Sequence, residues 1–180
     1  MSGPLDSVLS KAEPGLVNIM IDTPKGSRNK FKYDEKARCF RLSRILPAGA
    51  CFPYDFGSIP MTLAEDGDAL DVLVISDTSS FPGCLVTGKL IGTITAEQSE
   101  KKRTIRNDRL LAVPVTPANP PIFAHIDDLP DAWVTEIEHF FVSYNQAQGR
   151  EYKPIKHGGP QEAEAALTAA KRRYTRHQKQ

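Results

Sequence analysis

Polar and apolar residues alternate with a period of two over residues 17–22, 30–34 and 40–45, which predicts three strands. On the second of these, Lys30 and Lys32 share a face. Residues 24–29 are rich in chain breakers and read as a turn. Residues 47–60 read as a long loop around Cys51-Phe52-Pro53-Tyr54-Asp55-Phe56-Gly57. The apolar run Val72-Leu73-Val74-Ile75 predicts a buried strand. Residues 84–95 predict another after the turn at Pro82-Gly83, and residues 110–115 one more.

The period then changes. Leu129, Trp133, Ile137, Phe140, Phe141 and Tyr144 recur at spacings of three and four, the pattern of an amphipathic helix. Asp127 or Asp128 stands near its start and Gly149 near its end. Residues 161–177 predict a second helix, acidic early and basic late, as the helix dipole favours. Five to seven short strands followed by two helices indicate an α+β fold, and strands so closely spaced can close into a small barrel.

Composition narrows the function classes. The chain of 180 residues suits one domain, residues 1–180, with a core of useful size. A formal net charge of +1 gives no global nucleic-acid footprint, so no nucleic-acid partner is expected. No apolar run approaches the roughly 20 residues of a membrane span. Residues 1–6 lack the apolar core of a signal peptide. Cys39, Cys51 and Cys84 form neither a CxxC pair nor a disulfide framework, which fits a reducing cytoplasm. His125, His139, His157 and His177 show no metal-ligand spacing.

The chemistry concentrates in Ala64-Glu65-Asp66-Gly67-Asp68-Ala69-Leu70-Asp71, where four carboxylates fall within seven residues. Carboxylates so crowded resist ionisation unless a cation shares the site. Hard oxygen donors suit Mg²⁺, Mn²⁺ or Ca²⁺ rather than zinc. Asp71 opens the buried strand, where a carboxylate needs a partner charge or a metal. Asp66 and Asp68 have one strand parity and Asp71 the other, and a turn or bulge at residues 67–70 could bring all three to one point. The run is not an EF-hand, because Asp71 and Asp77 occupy the sixth and twelfth places, where that loop needs Gly and Glu. Lys30 and Arg44 on the early strands and Arg109 after the cluster supply cations. Metals together with cations suit a polyanionic substrate and phosphoryl transfer.

The run Asp66-Gly67-Asp68-Ala69-Leu70-Asp71-Val72 resembles the signature of the soluble family I inorganic pyrophosphatases, Asp-x-Asp-Pro-x-Asp before apolar residues, with Ala69 in the proline place. The resemblance extends from about Asp22 to the Tyr144 helix. It takes in Pro24-Lys25-Gly26-Ser27-Arg28-Asn29-Lys30, Phe52-Pro53-Tyr54-Asp55-Phe56-Gly57, Phe81-Pro82-Gly83-Cys84, Leu110-Leu111-Ala112-Val113-Pro114 and His139-Phe140-Phe141. It implies a closed, OB-like five-stranded barrel flanked by two main helices, with the site at the barrel mouth. It also implies three or four Mg²⁺ ions, with Mn²⁺ as a substitute, and hydrolysis of pyrophosphate by a metal-activated water in a cytoplasmic homo-oligomer. On the same resemblance Asp66 and Asp71 hold the water-activating metals, and Asp68 takes or positions the proton of the water. Asp22 stands where the family has a Glu that supports the outer metals. Lys30, Arg44 and Tyr144 grip phosphate oxygens, and Arg109 replaces a phosphate-binding lysine.

The chain also departs from the family. Lys32 stands where a glutamate is usual, and Phe52 and Phe56 where tyrosines are. Asn145 replaces a substrate-binding lysine, and residues 96–102 match the acidic metal loop poorly. Asn107 falls where a ligand Asp is expected; the neighbouring Asp108 takes that role only if a bulge turns it inward. Two other readings stand beside the first: hydrolysis of another phosphoanhydride on the same fold, and a barrel that binds phosphate or nucleic acid without turnover.

Overall fold

The computed structural model describes residues 12–34, 36–100 and 103–179. The segment read for a leader, residues 1–6, lies outside the described residues, as do Lys101 and Lys102 of the poorly matching loop. In chain order the strands are β1 (Val17–Thr23), β2 (Asn29–Asp34), β3 (Cys39–Ile45), β4 (Asp55–Ile59), β5 (Leu70–Val74), β6 (Leu85–Glu100), β7 (Arg103–Arg106) and β8 (Arg109–Pro114). A 3₁₀ turn (Ile126–Asp128), helix α1 (Asp131–Gln146), strand β9 (Glu151–Gly158) and helix α2 (Pro160–His177) follow.

Five strands close a ring. β1 pairs with β4, β4 with β5, β5 with β8, β8 with β6, and β6 returns to β1 through Val17↔Gly88 to Met20↔Leu85. The expected five-stranded, OB-like α+β architecture is the one observed. Among the described residues only the β5–β8 pair is parallel. β6 is long enough to serve the ring and then pair with β7 and β9.

Strand alternation sorts the apolar residues into two cores. Ile19, Ile21, Ile59, Val72, Val74, Leu90, Leu110 and Ala112 form one cluster, to which every ring strand contributes; it fills the ring, and Ala163, Leu167 and Ala170 of α2 pack into it. The opposite parity, with Phe56, Leu73, Ile91, Leu111 and Val113, faces α1, which presents Val134, Ile137 and Phe141.

Three sequence expectations change. Residues 47–60 are not all loop, because 55–59 form β4. Its sequence, Asp-Phe-Gly-Ser-Ile, shows no simple alternation because the strand is buried on both sides. β9 lies between the two helices, so the strands do not all precede them; Pro154 hid it, tolerated because it sits at a register shift of the β6–β9 ladder. Asp127 and Asp128 belong to the 3₁₀ turn, and the residue that caps α1 is Pro130.

Candidate active site

The acid turn joins β4 to β5. Thr62 Oγ1 donates to the Ile59 carbonyl (2.6 Å) and accepts from the Leu70 amide (2.9 Å), which clamps the base of the connection. Within it, Ala64 N–H donates to the Asp68 carbonyl (2.8 Å), and Asp66 Oδ1 accepts from the Asp68 amide (3.0 Å). Gly67 takes φ of 91°, a conformation that glycine adopts without strain. The turn leaves Asp66 and Asp68 exposed, while Asp71 enters β5. The turn expected at residues 67–70 is present, but it does not bring Asp66, Asp68 and Asp71 to one metal position.

A cationic face opposes it. In the β2–β3 hairpin Lys30 pairs with Arg44 and Lys32 with Arg41, and the register shifts between the two pairs. Residues opposite one another share a face, so the shift lets Arg41 and Arg44, three apart, stand beside both lysines. Lys32 Nζ bonds both oxygens of Asp68, at 2.8 and 2.9 Å. Lys30 Nζ lies 3.7 Å from the Phe56 ring centroid and 5.4 Å from that of Phe52. Both phenyl rings therefore lie beside a cation, which their faces attract. Arg44 is exposed across the ladder from Lys30, and Arg41 bonds Asp34 at 2.7 Å.

Behind Asp71 lies Arg109 of β8, whose Nη1 pairs with Asp71 Oδ2 at 2.6 Å and also bonds Asn107 Oδ1 and the Asp108 carbonyl. Its guanidinium sits 4.9 Å from the Phe141 ring centroid and 5.7 Å from that of Tyr152. Asn107 thus faces the site, anchored by Gln98 (2.9 Å). The Asp108 carboxylate turns the other way, to Arg106 (2.8 Å) and the Ala96 amide (3.2 Å), in the two-residue connection between β7 and β8. Tyr144 is half-buried, stacked on Phe140 at 5.7 Å and edge-on to Phe52 at 5.8 Å, within electrostatic reach of Arg109. Asn145 is buried, and its amide donates to the Phe141 carbonyl rather than reaching the mouth.

Sequence reasoning missed the Lys32–Asp68 pair and Tyr152. The first depends on a hairpin folding over a turn 36 residues away. Tyr152 lies on the unpredicted β9, where burial pushes its hydroxyl up to about 12. Arg109 Nε and Tyr152 Oη are both buried without a hydrogen-bond partner among the described residues.

The charges act on one another. Burial raises the Asp22 carboxyl to about 7, with Lys30 offsetting and Asp71 adding to the rise. Burial raises Asp71 too, against the pull of Arg109 and Lys30. Burial lowers Lys30 to about 8 although Asp71 and Asp22 favour its charged form. Burial would also depress Lys32, but its bond to Asp68 and the charges of Asp68, Asp71 and Asp66 raise it instead. The donor set fits a hard divalent cation: Asp22, Asp66, Asp68 and Asp71 offer only oxygen, and Asp22 and Asp71 each pay a penalty for ionisation that a dication relieves. In this arrangement no three His, Cys, Asp or Glu side chains among the described residues converge on one metal position. Two of the carboxylates are instead held by Lys32 and Arg109.

Residues 19–175 match the family model described as inorganic pyrophosphatase. An inorganic pyrophosphatase of Synechocystis is 37% identical over 144 residues, which cover 80% of this chain and 83% of that protein. One from Geobacillus stearothermophilus is 33% identical over 162 residues, covering 90% and 96%. Among solved structures, an inorganic pyrophosphatase from Neisseria gonorrhoeae superposes with a TM-score of 0.85 at 27% identity, covering 95% of this chain and 99% of that one. That of Thermus thermophilus superposes with a TM-score of 0.83 at 30% identity, covering 93% and 95%.

Proposed function

The chain belongs to the inorganic pyrophosphatase family and hydrolyses inorganic pyrophosphate, and from that premise we propose how its own residues divide the work. The observation that carries the assignment is the meeting of an acid turn with a cationic hairpin face, joined at Asp68 and Lys32. Asp66, Asp71 and Asp22 would hold the divalent metal, Mg²⁺ with Mn²⁺ as a substitute. When bound, that metal supplies Lewis acidity toward the phosphate oxygens and lowers the pKa of the attacking water. Asp68, exposed on the turn, accepts the proton of that water on a carboxylate oxygen once Lys32 Nζ, which bonds both of its oxygens in this structure, has moved aside.

Lys30 and Arg44, side by side across the ladder, receive the oxygens of one phosphate, and Tyr144 donates its hydroxyl to the other from α1. Arg109 fixes Asp71 and lends its charge from behind it. Asp108 has no part in this assignment, since its carboxylate serves Arg106 and Ala96. Among the described residues no helix is long and apolar enough to cross a membrane. The exposed thiols Cys39 and Cys51 fit a cytoplasmic setting, and the exposed Tyr33 and Leu42 of the hairpin fit contact with a second copy of the chain in a homo-oligomer.

The test is phosphate release from pyrophosphate with Mg²⁺, with Mn²⁺ and with EDTA, run beside ATP and tripolyphosphate. Release from pyrophosphate alone, abolished by EDTA, is expected, and Asp68→Asn should lower kcat about 10²- to 10⁴-fold while the circular dichroism spectrum stays unchanged. Faster release from ATP or tripolyphosphate would move the substrate assignment. Unchanged kcat in Asp68→Asn would remove Asp68 from the proton transfer.

A further inference from the structure

We propose that Lys32 is a tethered countercation that supplies, at Asp68, charge a divalent ion would otherwise bring, and so sets how many such ions this chain binds and how tightly. The inference rests on the reading of the acid turn as the metal site.

The geometry is specific. Lys32 Nζ grips both Asp68 oxygens rather than one, at 2.8 and 2.9 Å. A carboxylate so engaged has both of its forward oxygens covered by a monovalent cation. Lys32 also acts on Asp66, Asp71 and Asp22, so its charge is felt by every acid of the cluster. Asp22, Asp66, Asp68 and Asp71 nominally carry four negative charges, and Lys30, Lys32 and Arg109 three positive ones, leaving one net negative charge. An ensemble of three or four dications would leave that cluster strongly positive before any anion arrived. Asn107 moves the balance the same way, because it brings a neutral amide to the inward position and spends its oxygen on Arg109.

The pair is a competitor and not a lock. Its side chains are 58% and 59% exposed, and exposed ion pairs of this kind are weak. A metal ion held by Asp66, Asp71 and Asp22 would repel Nζ and so free the Asp68 carboxylate. The released ammonium stays on the hairpin face beside Lys30, where the oxygens of pyrophosphate can take it up. Metal loading and anion binding are thereby linked through one side chain: each favours the state in which Lys32 has left Asp68.

Mn²⁺ binding to the full chain without substrate tests this, by calorimetric titration with free Mn²⁺ counted by electron paramagnetic resonance. The proteins compared are wild type, Lys32→Met, Lys32→Glu and Lys32→Arg, each checked by a thermal melt. Removing a unit charge a few ångströms from a dication site in a solvent-rich setting predicts about ten-fold tighter binding in Lys32→Met. Lys32→Glu should bind tighter still and take up a further ion, and Lys32→Arg should match wild type. Equal affinity and stoichiometry in all four proteins, with wild type binding Mn²⁺, overturns the inference and leaves the metal site standing. No binding by wild type or any variant overturns both. Tighter binding in Lys32→Arg as well would assign the effect to local structure and overturn the charge argument.

Discussion

Asp22 is an acid kept from water beside another acid, and its cost has a definite sign. The unfolded chain releases this proton near 3.8, the native chain near 7. Between those values the native state holds a proton that the unfolded state has lost, so native stability falls as pH rises through the window and levels off above about 7. Taken alone the shift amounts to roughly 4 kcal/mol. With metal removed by EDTA, Asp22→Asn should therefore gain on wild type between pH 5 and pH 8 in urea unfolding. A constant gap between the two across that range would contradict the assigned burial. Lys30 has the opposite slope at higher pH: its native pKa of about 8 makes the penalty for burying its charge present below 8, fading toward 10.5. At this scale the sequence showed Asp66, Asp68 and Asp71 plainly, because they are neighbours in the chain and the turn between them is local. It also raised the opposition of Asn107 and Asp108, which bond to Arg109 and to Arg106 on different sides of the β7–β8 connection. It did not show that Lys32 meets Asp68, because that contact exists only once a hairpin has folded over a distant turn.

Elements were legible where their pattern was local and regular. Both helices and the strands with simple alternation or an unbroken apolar run could be read directly. β4 could not, and Gly57 shows why. It pairs with Ile21 on one side and Val72 on the other, and a Cβ there would meet the Met20 carbonyl and, at 3.1 Å, the Ile19 side chain. A residue that looks like a loop signal is in fact what lets two ring strands approach. Gly57→Ala should destabilise the protein by about 2 kcal/mol or more, since backbone must move to admit the methyl group. Chemical denaturation measures this, and a loss below about 0.5 kcal/mol would mean that the β1–β4 contact is softer than its geometry indicates. β9 escaped for a related reason: its Pro154 is acceptable only because the partner strand shifts register beside it.

For the molecule as a whole, α2 does more than cover a surface. Ala163, Leu167 and Ala170 complete the core inside the ring, and two bonds tie the helix to the segment leading into the acid turn. Leu63 N–H donates to the Ala170 carbonyl at 3.1 Å, and Arg173 Nε donates to the Leu63 carbonyl at 2.8 Å. A chain ending at Gly159 should lack a cooperative thermal transition, because the apolar interior of the ring stays open and the support of the acid turn is gone. A sharp transition in that truncated chain would show that the five strands suffice. The order of the elements has a temporal meaning as well. On the ribosome all five ring strands are made before the helix that fills them, so a nascent chain that has finished β8 still presents an unfilled apolar interior. Productive closure has to wait for residues 160–177, and until then the chain is a natural client for cellular factors that shield exposed apolar surface.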